Sequence, residues 1–183
     1  CKTEKLSPEI SFDYLDENYK EIKENSAEAA IKASKKPEDI TLMAVTKTVQ
    51  PVFINHVISL GAELIGENKV QELLGKLDYL KTDKLDMHII GHLQSNKVRK
   101  IIDVVSMIQS LDSISLAEEI SRQAEKNSLT MKVLMEINIG NEESKTGFTA
   151  QECIERAFRI AEMPGIKLEG LMAVPPICDS ESQ

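Results

Sequence analysis

Residues 41–48 read Thr-Leu-Met-Ala-Val-Thr-Lys-Thr, an apolar and β-branched run that ends in one lysine, Lys47. Pro51 and a helical pattern follow directly. The run predicts a buried strand that ends in a charge and then turns into a helix. Side chains alternate along a strand, so Lys47 is expected on the face of Met43 and Val45, looking into a core. A primary amine in that place is desolvated, which lowers its pKa and favours the neutral form that attacks carbonyls. The plainer reading is a lysine whose stem packs while its ammonium reaches solvent.

Further polar residues follow each later apolar run. They are Gly66-Glu67-Asn68-Lys69, then Gly91-His92-Leu93-Gln94-Ser95-Asn96-Lys97, then Ser110-Leu111-Asp112-Ser113. Asn138 and Ser144-Lys145-Thr146-Gly147 come next, and Met172 precedes Pro175-Pro176. In a fold of parallel strands these loops share one end of the sheet. One rim then collects Lys47, Asn68, His92, Asn96, Ser110, Asn138 and Ser144, a polar mouth suited to a ligand. The same residues have plainer roles. Asn68, Asn96, Ser110 and Asp112 could cap helices, and 144–147 could be a solvated turn. His88 and His92 have a spacing that holds a metal on a helix, but they fall in and beside a strand, and no metal site is expected. His56 reads as surface. No Gly-x-Ser-x-Gly elbow is present, and no cysteine has a base partner, which leaves nucleophilic hydrolysis without support.

The elements that position these residues alternate. Ser7-Pro8-Glu9 predicts a helix start whose stripe runs through Phe12, Leu15, Tyr19 and Ile22 to Ala33. Strands are expected at 41–47, 62–65, 87–90, 104–109, 131–138 and 168–174. Helices are expected at 51–60, 67–80, 96–102, 115–126 and 149–162. Ser115 with Glu118, and Thr149 with Glu152, have the capping-box spacing. The last helix is expected to bury Ile154, Phe158 and Ala161. Such alternation implies a parallel α/β sheet, closed as a TIM-type (β/α) barrel or open and doubly wound. No Gly-x-Gly-x-x-Gly follows the first strand and there is no P-loop, which argues against nucleotide binding on an open sheet. A barrel closes with eight strands. With six strands legible, either a barrel is completed by residues beyond these 183 or the sheet is incomplete, and the helix before the first strand is an extra element in both cases.

The chain of 183 residues is 42% hydrophobic and 28% charged, with a formal net charge of −8. That balance argues against nucleic acid or an anionic membrane as the main partner. The three cysteines, Cys1, Cys153 and Cys178, are scattered, which suits reduced thiols in the cytoplasm. The polar start has no signal-peptide core, and no apolar run is long enough to span a bilayer.

Six segments carry a resemblance. They are Ala-Val-Thr-Lys-Thr (44–48), Gly-Glu-Asn-Lys-Val-Gln-Glu (66–72), His-Ile-Ile-Gly-His-Leu-Gln-Ser-Asn-Lys (88–97), Glu-Ile-Asn-Ile-Gly (136–140), Ser-Lys-Thr-Gly (144–147) and Glu-Gly-Leu-Met-Ala-Val (169–174). In this order the chain closely resembles the pyridoxal phosphate homeostasis protein family. The resemblance implies a single alanine racemase-like barrel domain of the TIM-type (β/α) class over 1–183, with the extra N-terminal helix and without its last two βα units, and with pyridoxal 5′-phosphate held as a Schiff base on Lys47. It places Asn68, His92 and Met172 near the cofactor ring and Ser144-Lys145 beside the pocket. It implies a monomeric protein of intracellular cofactor supply, passing the cofactor to apoenzymes, without established turnover. In the family, a Gly-Ser-rich segment holds the phosphate and an arginine faces the pyridine nitrogen. Neither has a counterpart in these residues, so the chain is expected to be truncated and to bind weakly by itself. Two enzymatic readings stand beside this one. A racemase would need an acid/base group opposite Lys47, and the tyrosines, Tyr14, Tyr19 and Tyr79, fall in helical segments. An aldolase would use Lys47 without cofactor.

Overall fold

The computed structural model describes residues 11–140 and 146–175. Helix α1 (Asp13–Lys32) is followed by a 3-10 turn at Pro37–Asp39. Strands and helices then alternate: β1 (Ala44–Val45), α2 (Pro51–Ser59), β2 (Leu64–Glu67), α3 (Val70–Leu77), β3 (Asp86–Ile89) and α4 (Ser95–Val98). The alternation continues through β4 (Met107–Leu111), α5 (Ile114–Lys126), β5 (Met131–Ile137), α6 (Ala150–Ala161) and β6 (Ile166–Ala173). All neighbours pair in parallel, in the order β1-β2-β3-β4-β5-β6. A doubly wound sheet reverses its strand order at a switch point, and here the order never reverses. Right-handed crossovers therefore put every connecting helix on one face and leave the other as the inside of a barrel wall. The six described strands form such a wall, with β1 and β6 at its edges.

The hydrophobic core lies between wall and helices. Ile89, Ile108 and Val133 are in register on the helix-facing side, and all are fully buried. Leu73, Leu116, Ile120 and Ile160 close on them from the helices. Each such side chain contributes about 1.5–3 kcal/mol by leaving water. The opposite side of the same strands is mixed, with His88 and two lysines among apolar and small residues. Val45, Gly66, His88, Met107, Lys132 and Lys167 follow one another in register there.

Several expected boundaries move. β1 is shorter than 41–47, and its inner face is open: Val45 is 50% exposed. β1 is an edge strand, and nothing described lies across its inner side. β2 runs on to Glu67, so α3 begins at Val70 and not at 67. β4 is displaced to 107–111, which takes Ser110 into the strand. The α5 cap is Ser113, whose Oγ accepts from the Leu116 N–H, in place of a Ser115–Glu118 box. The Thr149–Glu152 capping box is formed. Helix α6 turns the expected face outward: Cys153 and Ile160 are buried, whereas Ile154 is 70% and Phe158 81% exposed, and Ala161 is exposed. Its docked stripe runs through Cys153, Ala157 and Ile160, one residue before the expected one. No described element beyond β6 covers the other side.

The expected α1 start at Ser7–Glu9 lies outside the described residues. Phe12, just before the helix, stacks on His56 with ring centroids 4.2 Å apart and meets Phe53 edge-on at 5.8 Å. Asp16 Oδ1 stands 2.7 Å from His56 Nε2. His56 is thus the docking point of α1 on α2, not a bare surface residue. No helix among the described residues is long and apolar enough to cross a membrane.

Candidate functional site

Lys47 sits in the turn between β1 and α2. It lies one residue past the last ladder bond, from the Thr46 N–H to the Gly66 carbonyl at 3.0 Å. Its side chain is exposed. The expected burial against an apolar wall is not found, because the inner side of edge strand β1 is open. Both neighbours of Lys47 are held from behind. Thr46 is buried, and its Oγ1 donates to Glu67 Oε1 at 2.7 Å. Thr48 has φ +62°, a left-handed conformation that β-branched residues rarely adopt. Its N–H donates to Glu72 Oε1. Lys76 joins the two acids: its Nζ donates to Glu67 Oε1 at 2.7 Å, Glu72 Oε1 at 2.7 Å and the Thr46 carbonyl at 2.8 Å.

Charge settles this cluster. Burial by itself would lower the Lys76 pKa, but hydrogen bonds and charge from Glu67 and Glu72 outweigh it and hold the ammonium above its ordinary value. The Lys76 hydrogen bond leads in holding Glu72 below the ordinary carboxylate value; partial burial opposes it and the Thr48 N–H adds to it. None of Glu67, Glu72 and Lys76 is prominent in the sequence as a site residue. The i,i+4 spacing of Glu72 and Lys76 on α3 is the one legible signal.

The following loops build the rest of the rim. Asn68 is half-buried at the end of β2. The α3 cap position belongs to Lys69, without a side-chain bond, so Asn68 is not a cap. A Cβ on Gly91 would come within 2.8–2.9 Å of Asn68 O, Cα and Cβ. Only glycine lets these two loops meet so closely. His92 follows, with Nδ1 2.6 Å from Asp112 Oδ2. Ser110 donates to the Gly91 carbonyl at 2.7 Å. Ser110 and Asp112 therefore tie β4 to the His92 loop and do not cap α5. Asn96 is exposed within α4 and makes no cap bond there.

Glu136, late in β5, is in register with Met172 on β6. Burial raises the Glu136 pKa, the Asp112 charge raises it further, and His92 opposes both. His92, Asp112 and Glu136 thus form one electrostatic group beside Met172. After β5 the chain folds back on the strand. The Phe148 N–H donates to the Glu136 carbonyl at 2.8 Å and the Asn138 N–H to the Phe148 carbonyl at 2.9 Å. Gly147 holds φ +115° against Glu136 O, where a side chain would clash. Ser144 and Lys145 lie outside the described residues. His88 is buried deeper in the wall, with Nδ1 2.9 Å from Gln109 Nε2. Among the described residues it shares no hydrogen-bond partner with His92. Among the described residues no group of three or more His, Cys, Asp or Glu could hold a metal.

Residues 10–183 match the alanine racemase N-terminal domain family. The pyridoxal phosphate homeostasis protein of Aquifex aeolicus is 37% identical over 164 residues, covering 90% of this chain and 72% of that protein. The protein of the same name from Escherichia coli K12 is 35% identical over 161 residues, 86% of this chain and 69% of its own. The chain belongs to the pyridoxal phosphate homeostasis protein family. A crystal structure of an unknown protein from Bifidobacterium adolescentis shares this fold at a TM-score of 0.84 and 33% identity, covering 98% of this chain and 78% of that one. PipY of Synechococcus elongatus, solved without pyridoxal phosphate, does so at 0.74 and 28%, over 86% of this chain and 74% of its own. An alanine racemase from Clostridium difficile at TM-score 0.62 and 15% identity, covering 74% of this chain and 36% of that one, shows the shared barrel architecture alone. The segments that carry the family resemblance, as far as they are described, lie at or run into one end of this wall. They are the Lys47 turn, the loops after β2 and β3, and the ends of β5 and β6.

Proposed function

We propose that this chain binds pyridoxal 5′-phosphate at the C-terminal rim of its inner face, as a Schiff base on Lys47, and that it serves intracellular cofactor supply in the cytoplasm. The observation that carries the reading is the Lys47 turn itself. A primary amine stands exposed at the rim while the chain on both sides of it is fixed. The residues fit the aldehyde and the ring of the group in kind. Lys47 suits an aldehyde, Met172 offers an apolar contact for a ring, and Asn68 and His92 offer polar contacts at its edge. When bound, the cofactor supplies an electrophilic carbonyl. The chain's own residues orient that end and limit how it can sit. PipY of Synechococcus elongatus has also been solved with pyridoxal phosphate bound, and the relatives named above carry homeostasis in their names.

The proposed role is custody of the cofactor and its transfer to apoenzymes by a monomer. Turnover of an amino acid would call for an acid/base group across from Lys47. Tyr14 and Tyr19 lie on α1 and Tyr79 follows α3, none of them at the rim. Tyr19 lines a cleft with Thr41, Leu42 and Glu63, where the first strands begin, at the opposite end.

The test is borohydride reduction of the protein with added pyridoxal phosphate, followed by peptide mass mapping. A phosphopyridoxyl group on Lys47, lost in Lys47→Ala, is the expected result. Labelling scattered over surface lysines, or none, would overturn the reading.

A further inference from the structure

The cluster behind Lys47 has features that stability does not explain. Glu67 is fully buried and its Oε2 has no hydrogen-bond partner among the described residues. A buried ion pair is generally no more stable than an apolar replacement, and an incompletely satisfied one is worse. The cluster also sustains Thr48 in a left-handed conformation that nothing in its own side chain favours. All three Lys76 bonds go to Thr46 or to the acids that grip Thr46 and Thr48. The outlay of charge and strain converges on the two residues that flank Lys47.

We infer that Glu67, Glu72 and Lys76 are positioning residues for Lys47. Together they clamp the β1–α2 turn from the helix side, so that the amine is presented at the rim in one orientation. Glu67 and Lys76 fix the incoming strand end through the Thr46 hydroxyl and carbonyl. Glu72 fixes the outgoing residue through the Thr48 N–H. The cluster lies on the far side of the sheet from the inner face, because Glu67 is in register with core residue Ile89. It acts on Lys47 through the backbone and has no need to touch a ligand. This inference rests on Lys47 being the carbonyl-binding amine proposed above.

The test uses Glu72→Leu and Glu72→Gln in the full chain. Glu72 is partly exposed and Thr48 is exposed, so water can replace the lost contact and the fold survives. Lys47 reactivity is read in the cofactor-free protein, by acetic anhydride labelling against pH with mass spectrometry. Pyridoxal phosphate loading at Lys47 is read separately by borohydride trapping. Glu72→Leu should move the Lys47 labelling profile and weaken loading about tenfold, the effect of losing one charge-assisted hydrogen bond. Glu72→Gln removes the charge but keeps an acceptor for the Thr48 N–H, and should stay close to the unaltered protein. Thr46→Val, which removes the other grip, should act in the same direction as Glu72→Leu. An unchanged Lys47 profile in Glu72→Leu, whatever happens to the thermal midpoint, overturns the inference. Equal shifts in Glu72→Leu and Glu72→Gln overturn it too, since charge and not position would then be the cause. Failure of the proposed function looks different: the unaltered protein would not be trapped at Lys47, whether or not its acetylation profile responds to the clamp.

Discussion

His92 Nδ1 stands 2.6 Å from Asp112 Oδ2, and the pair lies within electrostatic reach of Glu136. Burial raises the Glu136 pKa first, the Asp112 charge raises it further, and His92 works against both. Asp112→Asn should therefore lower the Glu136 pKa, and His92→Ala should raise it. Carbon-detected NMR titration of the Glu136 carboxyl reads both. No movement in either variant would show that the three groups are not coupled.

Two glycines make opposite predictions. Gly91→Ala forces a Cβ into the Asn68 backbone. The expected cost is about 1–3 kcal/mol, as for overpacking elsewhere, with displacement of Asn68 and weaker pyridoxal phosphate binding. Gly75 lies inside α3 with nothing near its missing Cβ. Gly75→Ala should stabilise by about 0.5–1 kcal/mol through helix propensity and leave binding alone. Urea unfolding with a binding titration separates them. A stable Gly91→Ala with normal binding would contradict the close packing of the two loops.

The face of α6 is tested by a pair of truncations. Ile160 is fully buried, so Ile160→Ala should cost about 2–5 kcal/mol. Phe158 is 81% exposed, so Phe158→Ala should change stability by no more than about 0.5 kcal/mol. Chemical denaturation of both variants reads the difference. Comparable costs would mean that Phe158 is covered in solution.

The outcome at α6 shows what a pattern can carry. Ile154, Phe158 and Ala161 form as good a stripe as Cys153, Ala157 and Ile160, and only the neighbours in space choose between them. The rhythm of strands and helices was readable because each apolar run is bounded by Gly, Pro or a cap. The choice of a barrel wall over a doubly wound sheet is not carried by that rhythm, since strand order is a long-range property; only the family resemblance implies it. Lys47 stood out because a charge at the end of an apolar run is conspicuous. Glu67 did not, because its partners lie nine residues away at Lys76 and 21 away at Thr46. Ser110 and Asp112 suited helix caps equally well in the sequence. Their bonds to Gly91 and His92 depend on β3 and β4 being adjacent, which the sequence does not state.

His88 contributes to the loss of stability in mild acid. It is buried in β3, and burial lowers its pKa; the Asp86 charge opposes this and Lys132 reinforces it. The Gln109 amide stands where it donates to an unprotonated Nδ1 at 2.9 Å, so the folded protein favours the neutral ring. The unfolded chain takes up a proton at about pH 6.5, the ordinary histidine value. Below that pH the unfolded state binds more protons than the folded state, and stability falls. The slope stays under the one-proton limit of about 1.4 kcal/mol per pH unit, and the loss levels off below the lower, folded pKa. His88→Asn keeps an acceptor for Gln109 but cannot titrate. Urea unfolding at pH 7, 6 and 5 should therefore show a steeper loss for the unaltered protein than for His88→Asn. Parallel losses would mean that His88 takes up its proton as readily folded as unfolded, and that the Gln109 contact does not hold the ring neutral.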